Sequence, residues 1–180
     1  MSQPPAQDLH DFGADGIDIQ TAMLRHARAH PDRATRPDHI LWNGQAVRTW
    51  FDVPVPNAGR FRIEFLSEPR EPAQGVDVSA EGGVIRLAGG ERIQTLRTWH
   101  EERYEEVVTY PFTSKHRLLK VWNVYHWEWP RGIREEKWTG NAGFLVEQEA
   151  DARWLLRCSP GPARAPDFTQ LVFRFAILEG

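Results

Sequence analysis

The sequence is poor in several residue types, and each scarcity argues against a class of protein. Among its 180 residues only Cys158 is a cysteine, which excludes an intramolecular disulfide framework and a zinc site made of several cysteines. No apolar run approaches the roughly 18 residues that a membrane-spanning helix needs. Residues 1–16 also lack the basic and apolar regions of a secretory signal peptide. We therefore expect a cytoplasmic protein without a membrane partner.

Lysine is scarce as well. Of the 22 basic side chains, only Lys115, Lys120 and Lys137 are lysines. Together with the alanine, glycine and proline content, this bias indicates a bacterial genome rich in G and C. The formal net charge of −3 gives no general attraction to polyphosphates, so we expect no nucleic-acid partner.

Motifs that announce common enzyme classes are missing too. The sequence has no GxSxG elbow, no GxxxxGK[ST] phosphate loop and no GxGxxG after a predicted strand. These absences count against serine hydrolases of the α/β type, P-loop enzymes and dinucleotide-dependent oxidoreductases, and we expect no cofactor. His26 and His30 stand one helical turn apart, but a metal would need a third ligand such as His100, His116 or His126. We therefore predict no metal site.

The N-terminal part of the chain contains one good helix. Residues 1–16 are polar and proline-containing and are predicted to form a flexible tail, whereas residues 17–39 hold a helix and a linker. Asp15 or Asp18 can cap the helix, and Pro31 and Asp32 end it. One helical face carries the residues with the spacing of a buried stripe, which are Ile19, Ala22, Met23, His26, Ala27 and His30.

From residue 40 onward the hydrophobic period is two, which predicts strands. About ten short strands follow at regular spacing without βαβ units, so residues 40–180 are predicted to form a single all-β domain. The expected architecture is an antiparallel β-sandwich or jelly roll, or a small barrel, with one N-terminal α-helix. Periodicity does not separate these forms. Within the domain we expect a hairpin turning at Glu81-Gly82-Gly83 and a turn over residues 130–138.

The densest aromatic segment is KVWNVYHWEWP, residues 120–130. As a strand ended by Pro130, it places Tyr125, Trp127 and Trp129 on one face and His126 and Glu128 on the other. A tryptophan offers a large apolar surface and an indole N–H that needs a partner, so it often lies where a core meets water or a ligand. The alternative is that these rings fill the core or an interface.

A non-catalytic binding domain is the first functional hypothesis. Flat aromatic faces stack on sugar rings and on planar molecules, so the ligand would be a small molecule or a glycan on a tryptophan-rich sheet face. The same surface would also suit self-association into a homo-oligomer. The candidate ligand-binding residues are Trp99, Tyr104, Trp122, Tyr125, Trp127, Trp129 and Trp138.

A second hypothesis is a small cofactor-independent β-barrel enzyme, such as a cyclase, isomerase, lyase or hydrolase. The segment WHEERYEE concentrates acid–base groups, and histidine with a carboxylate is common equipment for proton transfer near neutral pH. The candidate catalytic residues are His100, Glu102, His126 and Glu128, within an aromatic cavity that would raise carboxylate pKa values. The alternative is that the acidic run is a solvated edge.

A third hypothesis is a protein-protein interaction or immunity-type factor that docks through the helix. It requires an exposed apolar stripe along Ile19, Met23 and Ala27.

Overall fold

The computed structural model describes residues 9–69, 71–102 and 105–178, and these residues are mainly β. The helical parts are a short 3-10 turn, Phe12–Ala14, and one α-helix, α1, Ile19–Ala29. The strands are β1 Ile40–Trp42, β2 Gln45–Val47, β3 Phe51–Pro54, β4 Ala58–Phe65, β5 Gln74–Ala80, β6 Gly83–Arg86 and β7 Arg92–Ile93. They continue with β8 Thr95–Trp99, β9 Val107–Ser114, β10 Leu118–Trp129, β11 Gly132–Glu136, β12 Gly143–Ala150, β13 Arg153–Ser159 and β14 Leu171–Leu178.

Two antiparallel sheets pack against each other. One has the order β12-β13-β14-β4-β9-β6-β7, and the other has the order β11-β10-β5-β8 with β3 also paired to β10. Neither sheet closes on itself, so the sandwich with one helix is confirmed and the barrel alternative is wrong. The small β1–β2 hairpin joins the edge of the larger sheet through a bridge between Arg48 and Phe144.

The core lies between the two sheets and follows from strict alternation. In β14, Leu171, Phe173 and Phe175 are fully buried while the intervening residues are not. In β4, Phe61 and Ile63 are buried in the same way beside them. Truncating one such phenylalanine to alanine costs about 3–5 kcal/mol, because the packed surroundings do not collapse into the cavity.

Strand β10 lies between β11 and β5 in the smaller sheet, and residues 121–125 are buried on both of its faces. Its inner face points at the larger sheet, since Asn123 donates from Nδ2 to the main-chain oxygen of Ser159 at 3.0 Å. Along one edge it pairs with β3 through residues 118–121 and with β11 through residues 125–129. The loop after β11 returns to the gap between them, where Thr139 donates its N–H to the hydroxyl of Tyr125 at 3.0 Å.

Helix α1 is tied to that same loop. It begins at Asp18, whose carboxylate accepts the N–H of Thr21 at 2.7 Å and so satisfies one of the free donors of the first turn. The N–H of Gln20 donates to the oxygen of Gly140 at 2.9 Å, and Gly140 donates back to the side chain of Gln20 at 3.1 Å. Ile19, Ala22 and His26 form its buried face. The predicted helix is therefore confirmed, and its position fixes the geometry of the loop.

The hairpin predicted at Gly82 is wrong, because β5 and β6 belong to different sheets. Gly82 adopts a φ of 64°, which turns the chain sharply. The main-chain N–H of Glu81 then donates to the main-chain oxygen of Leu118 at 3.1 Å. The main-chain oxygen of Glu81 accepts from the N–H of His116 at 3.3 Å. These bonds join the turn to the neighbouring β9–β10 turn, so the chain crosses from one sheet to the other.

The turn predicted over residues 130–138 is also wrong. Gly132–Glu136 form β11, and only Pro130 and Arg131 make the turn. Nearly every residue of β11 is exposed, so its sequence has no alternation that could reveal a strand. In the described ranges, no helix has the length and apolar content that a membrane crossing would need.

Candidate ligand-binding site

The predicted aromatic residues separate into three places. Trp99 and Trp122 lie on the face of the smaller sheet opposite to Asn123, and both are buried members of the hydrophobic core cluster. Trp127 and Trp129 stack on each other at the end of the β10–β11 hairpin, with ring centroids 5.5 Å apart. Trp138 lies in the loop after β11. The tryptophans therefore do not form one continuous platform.

The tyrosine candidates have other positions. Tyr125 is fully buried, and its hydroxyl lies 2.7 Å from Oγ1 of Thr139 in addition to accepting the Thr139 N–H. Burial raises the pKa of Tyr125, although the bonds with Thr139 oppose this. Its side chain thus anchors the loop instead of offering a binding surface. Tyr104 lies outside the described residues.

Trp138 belongs to a compact group of aromatic and cationic side chains. Its ring centroid is 5.6 Å from that of Trp122. The ammonium of Lys137 lies 4.6 Å from the ring centroid of Trp138 and 5.1 Å from that of Trp122, which is a cation–π arrangement. The indole N–H of Trp122 is buried and has no hydrogen-bond partner among the described residues. The Trp122 ring therefore supports Trp138 from the sheet.

The backbone of Trp138 is strained. Its φ is 60°, a left-handed conformation that is unusual for a bulky residue and costs of order 1–3 kcal/mol. The bonds between Gly140 and Gln20 hold the loop in this shape. As a result, the indole of Trp138 stays 42% exposed although its neighbour Trp122 is buried.

The exposed side of Trp138 borders a cavity of about 280 Å³ between α1 and the start of β3, which we call the aromatic groove. Its apolar walls are Met23, Leu24, Ala27, Pro37, Trp50 and Trp138. Trp50 is 41% exposed, so two half-exposed indoles line one small groove. Gln20, His26, Arg36, Asp38 and Thr49 supply its polar groups.

Most of these polar groups are already bonded. Asp38 accepts from His39 at 2.9 Å and from Arg48 at 3.2 and 3.3 Å. Although burial opposes it, these partners hold the pKa of Asp38 below its usual value. His26 lies 3.2 Å from the oxygen of Pro37 through Nε2, and burial lowers its pKa. At neutral pH the groove therefore contains an ionised Asp38, whose charge is balanced by Arg48, and an uncharged His26 imidazole.

A second cavity of about 600 Å³, here called the acidic cleft, lies at the other end of β10. His126 and Glu128 both line it, together with Glu71, Arg164 and Asp167. The ring of His126 rests against Trp99, with centroids 4.5 Å apart. The bonds that Asp167 accepts from Thr169 and Gln170 lower its pKa.

The other predicted catalytic residues lie apart from this cleft. His100 packs edge-on against Phe65 of the larger sheet, with centroids 5.6 Å apart. Glu102 is exposed in the turn after β8. Of the four candidates, His126 and Glu128 are thus the pair that shares a cavity.

The surroundings of Cys158, His26 and His30 fit structural roles for these three residues. Cys158 is completely buried in the core, and burial raises the pKa of its thiol. The rings of His26 and His30 lie 4.4 Å apart, but Nδ1 of His30 lies 3.1 Å from the main-chain oxygen of His26. In the part of the chain that the structure describes, no group of three or more His, Cys, Asp or Glu side chains is placed to hold a metal ion.

Sequence reasoning missed Trp50, Arg36 and Leu24 as site residues. Trp50 lies between β2 and β3, and Arg36 lies in the segment predicted as a linker. The missed signal was Asn43-Gly44, a dipeptide typical of tight hairpins, whose residues have φ values of 49° and 75°. A hairpin there places Trp50 after β2 instead of within a longer strand.

No protein-family profile, curated protein or solved structure matches the chain. A functional assignment therefore depends on the geometry of the two cavities.

Proposed function

We propose that the protein is a non-catalytic binding domain that holds a small planar molecule in the aromatic groove. The observation that carries the proposal is the pairing of Trp50 and Trp138, two half-exposed indoles on one groove. Exposed tryptophan is costly in water unless something covers it, and a planar ring stacks on it well.

The size of the groove restricts the ligand. Its volume of about 280 Å³ is just below the range of about 300–1,000 Å³ that is usual for small-molecule pockets. A ligand of one or two fused rings fits this volume. The strained loop at Trp138 supports the same proposal, because a left-handed bulky residue fixes the indole in position before the ligand arrives.

The test is a titration of the full chain, labelled with 5-fluorotryptophan, against planar aromatic compounds and oligosaccharides, followed by fluorine NMR. We expect aromatic ligands to shift the Trp50 and Trp138 resonances. Trp50→Ala and Trp138→Ala should each weaken binding about tenfold. Trp129→Ala is the matched control, since Trp129 is also 41% exposed but does not line the groove.

A glycan is the other ligand class in this proposal, and it would use a different surface. Trp129 stacks on Trp127 and is half exposed at the end of the hairpin, which suits a sugar ring. If oligosaccharides alone bind and Trp129→Ala abolishes their binding, the site moves to this pair. If no compound shifts any tryptophan resonance, the binding proposal fails.

An enzyme acting in the acidic cleft is the second candidate function. The observation in its favour is that His126 and Glu128, from one face of β10, line the same cavity of about 600 Å³. The imidazole and a carboxylate would act as acid–base groups on a substrate held there. A screen with chromogenic esters, lactones and glycosides tests it. Activity that His126→Asn and Glu128→Gln both abolish would support the enzyme, and activity that neither changes would refute it.

The interaction hypothesis lacks the feature that it requires. Ile19 is fully buried, and Met23 and Ala27 are half-buried in the wall of the groove, so α1 has no continuous exposed stripe there. For the setting of the protein we propose the bacterial cytoplasm, on the basis of the arginine bias and the lone buried cysteine. We propose neither nucleic acid nor a membrane as a partner.

A further inference from the structure

Arg36 brings an uncompensated positive charge to the aromatic groove. Its guanidinium is fixed by neutral acceptors at the end of α1. Nε donates to the oxygen of His30 at 2.6 Å, and Nη2 donates to the oxygens of Ala27 and Pro31, each at 3.3 Å. The side chain lines the groove beside Trp50 and Trp138. Arg36 is thus held in place without any loss of its charge.

No acidic side chain of the described residues neutralises Arg36, because none lies within 4.0 Å of its nitrogens. The one carboxylate in the groove wall, Asp38, is engaged by His39 and Arg48. Nη1 of Arg36 makes no hydrogen bond within the described ranges, so it has donors left for a ligand.

A second cation, Lys137, lies beside the ring of Trp138. The ammonium of Lys137 lies 4.6 Å from the ring centroid of Trp138 and is likewise without a carboxylate partner in the described part of the chain. The main-chain oxygens at the end of α1 would repel an anion, but Arg36 already occupies them. The groove therefore combines two aromatic surfaces with the charge of Arg36, and Lys137 lies on the ring of Trp138 outside the lining of the groove.

We propose that the ligand of the aromatic groove is a small aromatic carboxylate, an inference that rests on the proposed binding function. The ring lies against Trp50 and Trp138, and the carboxylate accepts from Nη1 of Arg36. A guanidinium suits this role because its N–H groups match carboxylate geometry and it stays charged at all physiological pH values.

The test compares three ligands with the same ring and different charges. 2-Naphthoate, 2-naphthamide and 2-naphthylmethylamine are titrated into the full chain by calorimetry at low and at high salt. We expect the acid to bind about tenfold tighter than the amide and the amine to bind weakest. The preference for the acid should shrink at high salt, since a half-open groove is screened.

Substitutions then locate the charge that matters. Arg36→Gln should abolish the preference for the acid while leaving the amide affinity within about twofold. Arg28→Gln is the matched control, because Arg28 is exposed near the end of α1 and does not line the groove. Thermal melting of each variant checks that it is folded. If Arg36→Gln proves unstable, the ligand series with the wild-type protein decides the inference by itself.

The outcomes separate the two proposals. If the acid and the amide bind equally, or the amine binds tightest, the carboxylate inference is overturned and the binding function stands. If none of the three binds, the groove is not a site for planar ligands, and the proposed function fails together with the inference. A preference for the acid that survives in Arg36→Gln also overturns the role given to Arg36.

Discussion

Arg97 donates two parallel hydrogen bonds of 2.8 Å to Asp77, from Nε to Oδ1 and from Nη2 to Oδ2. The carboxylate is only 2% exposed, so this pair keeps a charge nearly out of water on the outer face of the smaller sheet. The remaining guanidinium nitrogen of Arg97 bonds to Glu135 of β11. These bonds raise the pKa of Arg97, that with Asp77 most strongly, and the pair holds β5, β8 and β11 together.

Arg97→Met should lower the free energy of unfolding by about 3 kcal/mol, because it leaves a buried carboxylate unpaired. The double variant Arg97→Met/Asp77→Leu should recover most of that loss, since no buried charge remains. Urea unfolding followed by fluorescence measures both. An equal loss in the single and double variants would contradict this account.

His26 should make stability depend on pH. Its pKa is lowered in the folded state, chiefly by burial, from an ordinary value of 6.5. Between the folded pKa and 6.5 the unfolded chain binds more protons than the folded chain, so the free energy of unfolding falls as the pH falls through that window. His26→Gln should lack this part of the decline. Urea unfolding from about pH 8 to about pH 5 compares the two proteins, and parallel curves would refute the assignment.

The buried side chain of Gln74 should lower the free energy of unfolding. It is 1% exposed, and neither its side-chain oxygen nor its nitrogen has a hydrogen-bond partner among the described residues. Gln74→Met should therefore raise the free energy of unfolding by about 1 kcal/mol. The matched control Gln170→Met should lower it, because Gln170 donates to Asp167 at 2.6 Å. A destabilised Gln74→Met would mean that an ordered water satisfies the amide.

The thiol of Cys158 should react only when the protein unfolds. It is completely buried, and burial raises its pKa, so little thiolate exists and reagents do not reach it. Labelling with a thiol-specific reagent should follow the rate of global opening and accelerate in urea together with loss of the fold. Rapid labelling under native conditions would show that β13 opens by itself.

Local patterns were sufficient for the helix and the buried strands. The spacing of Ile19, Ala22 and His26 predicted the buried face of α1, and the period of two beyond residue 40 predicted strands such as β4 and β14, because burial on one side imposes a period. The exposed strand β11 imposes none, so the sequence gives no sign of it. The crossover at Gly82 depends on bonds to Leu118 and His116, which are distant in sequence.

The site was harder to predict than the fold, for the same reason. The strand period of two correctly put His126 and Glu128 on one face, and both line the acidic cleft. The aromatic groove instead joins residues from α1, from the linker and from the loops at Trp50 and Trp138. Such a meeting of separate segments depends on tertiary packing, which no local pattern encodes.

The position of β14 has a consequence for biosynthesis. It lies between β13 and β4, and its Arg174 pairs with Glu64, 110 positions earlier in the chain. At about 5–20 residues per second of translation, roughly 5 to 22 s pass between the synthesis of these two residues. During that interval the edge of β4 that pairs with β14 is open on the nascent chain, so the larger sheet is completed only when β14 leaves the ribosome. The newly made polypeptide is therefore open to wrong pairing at this edge of β4, and a chaperone that shields the strand would act in that interval.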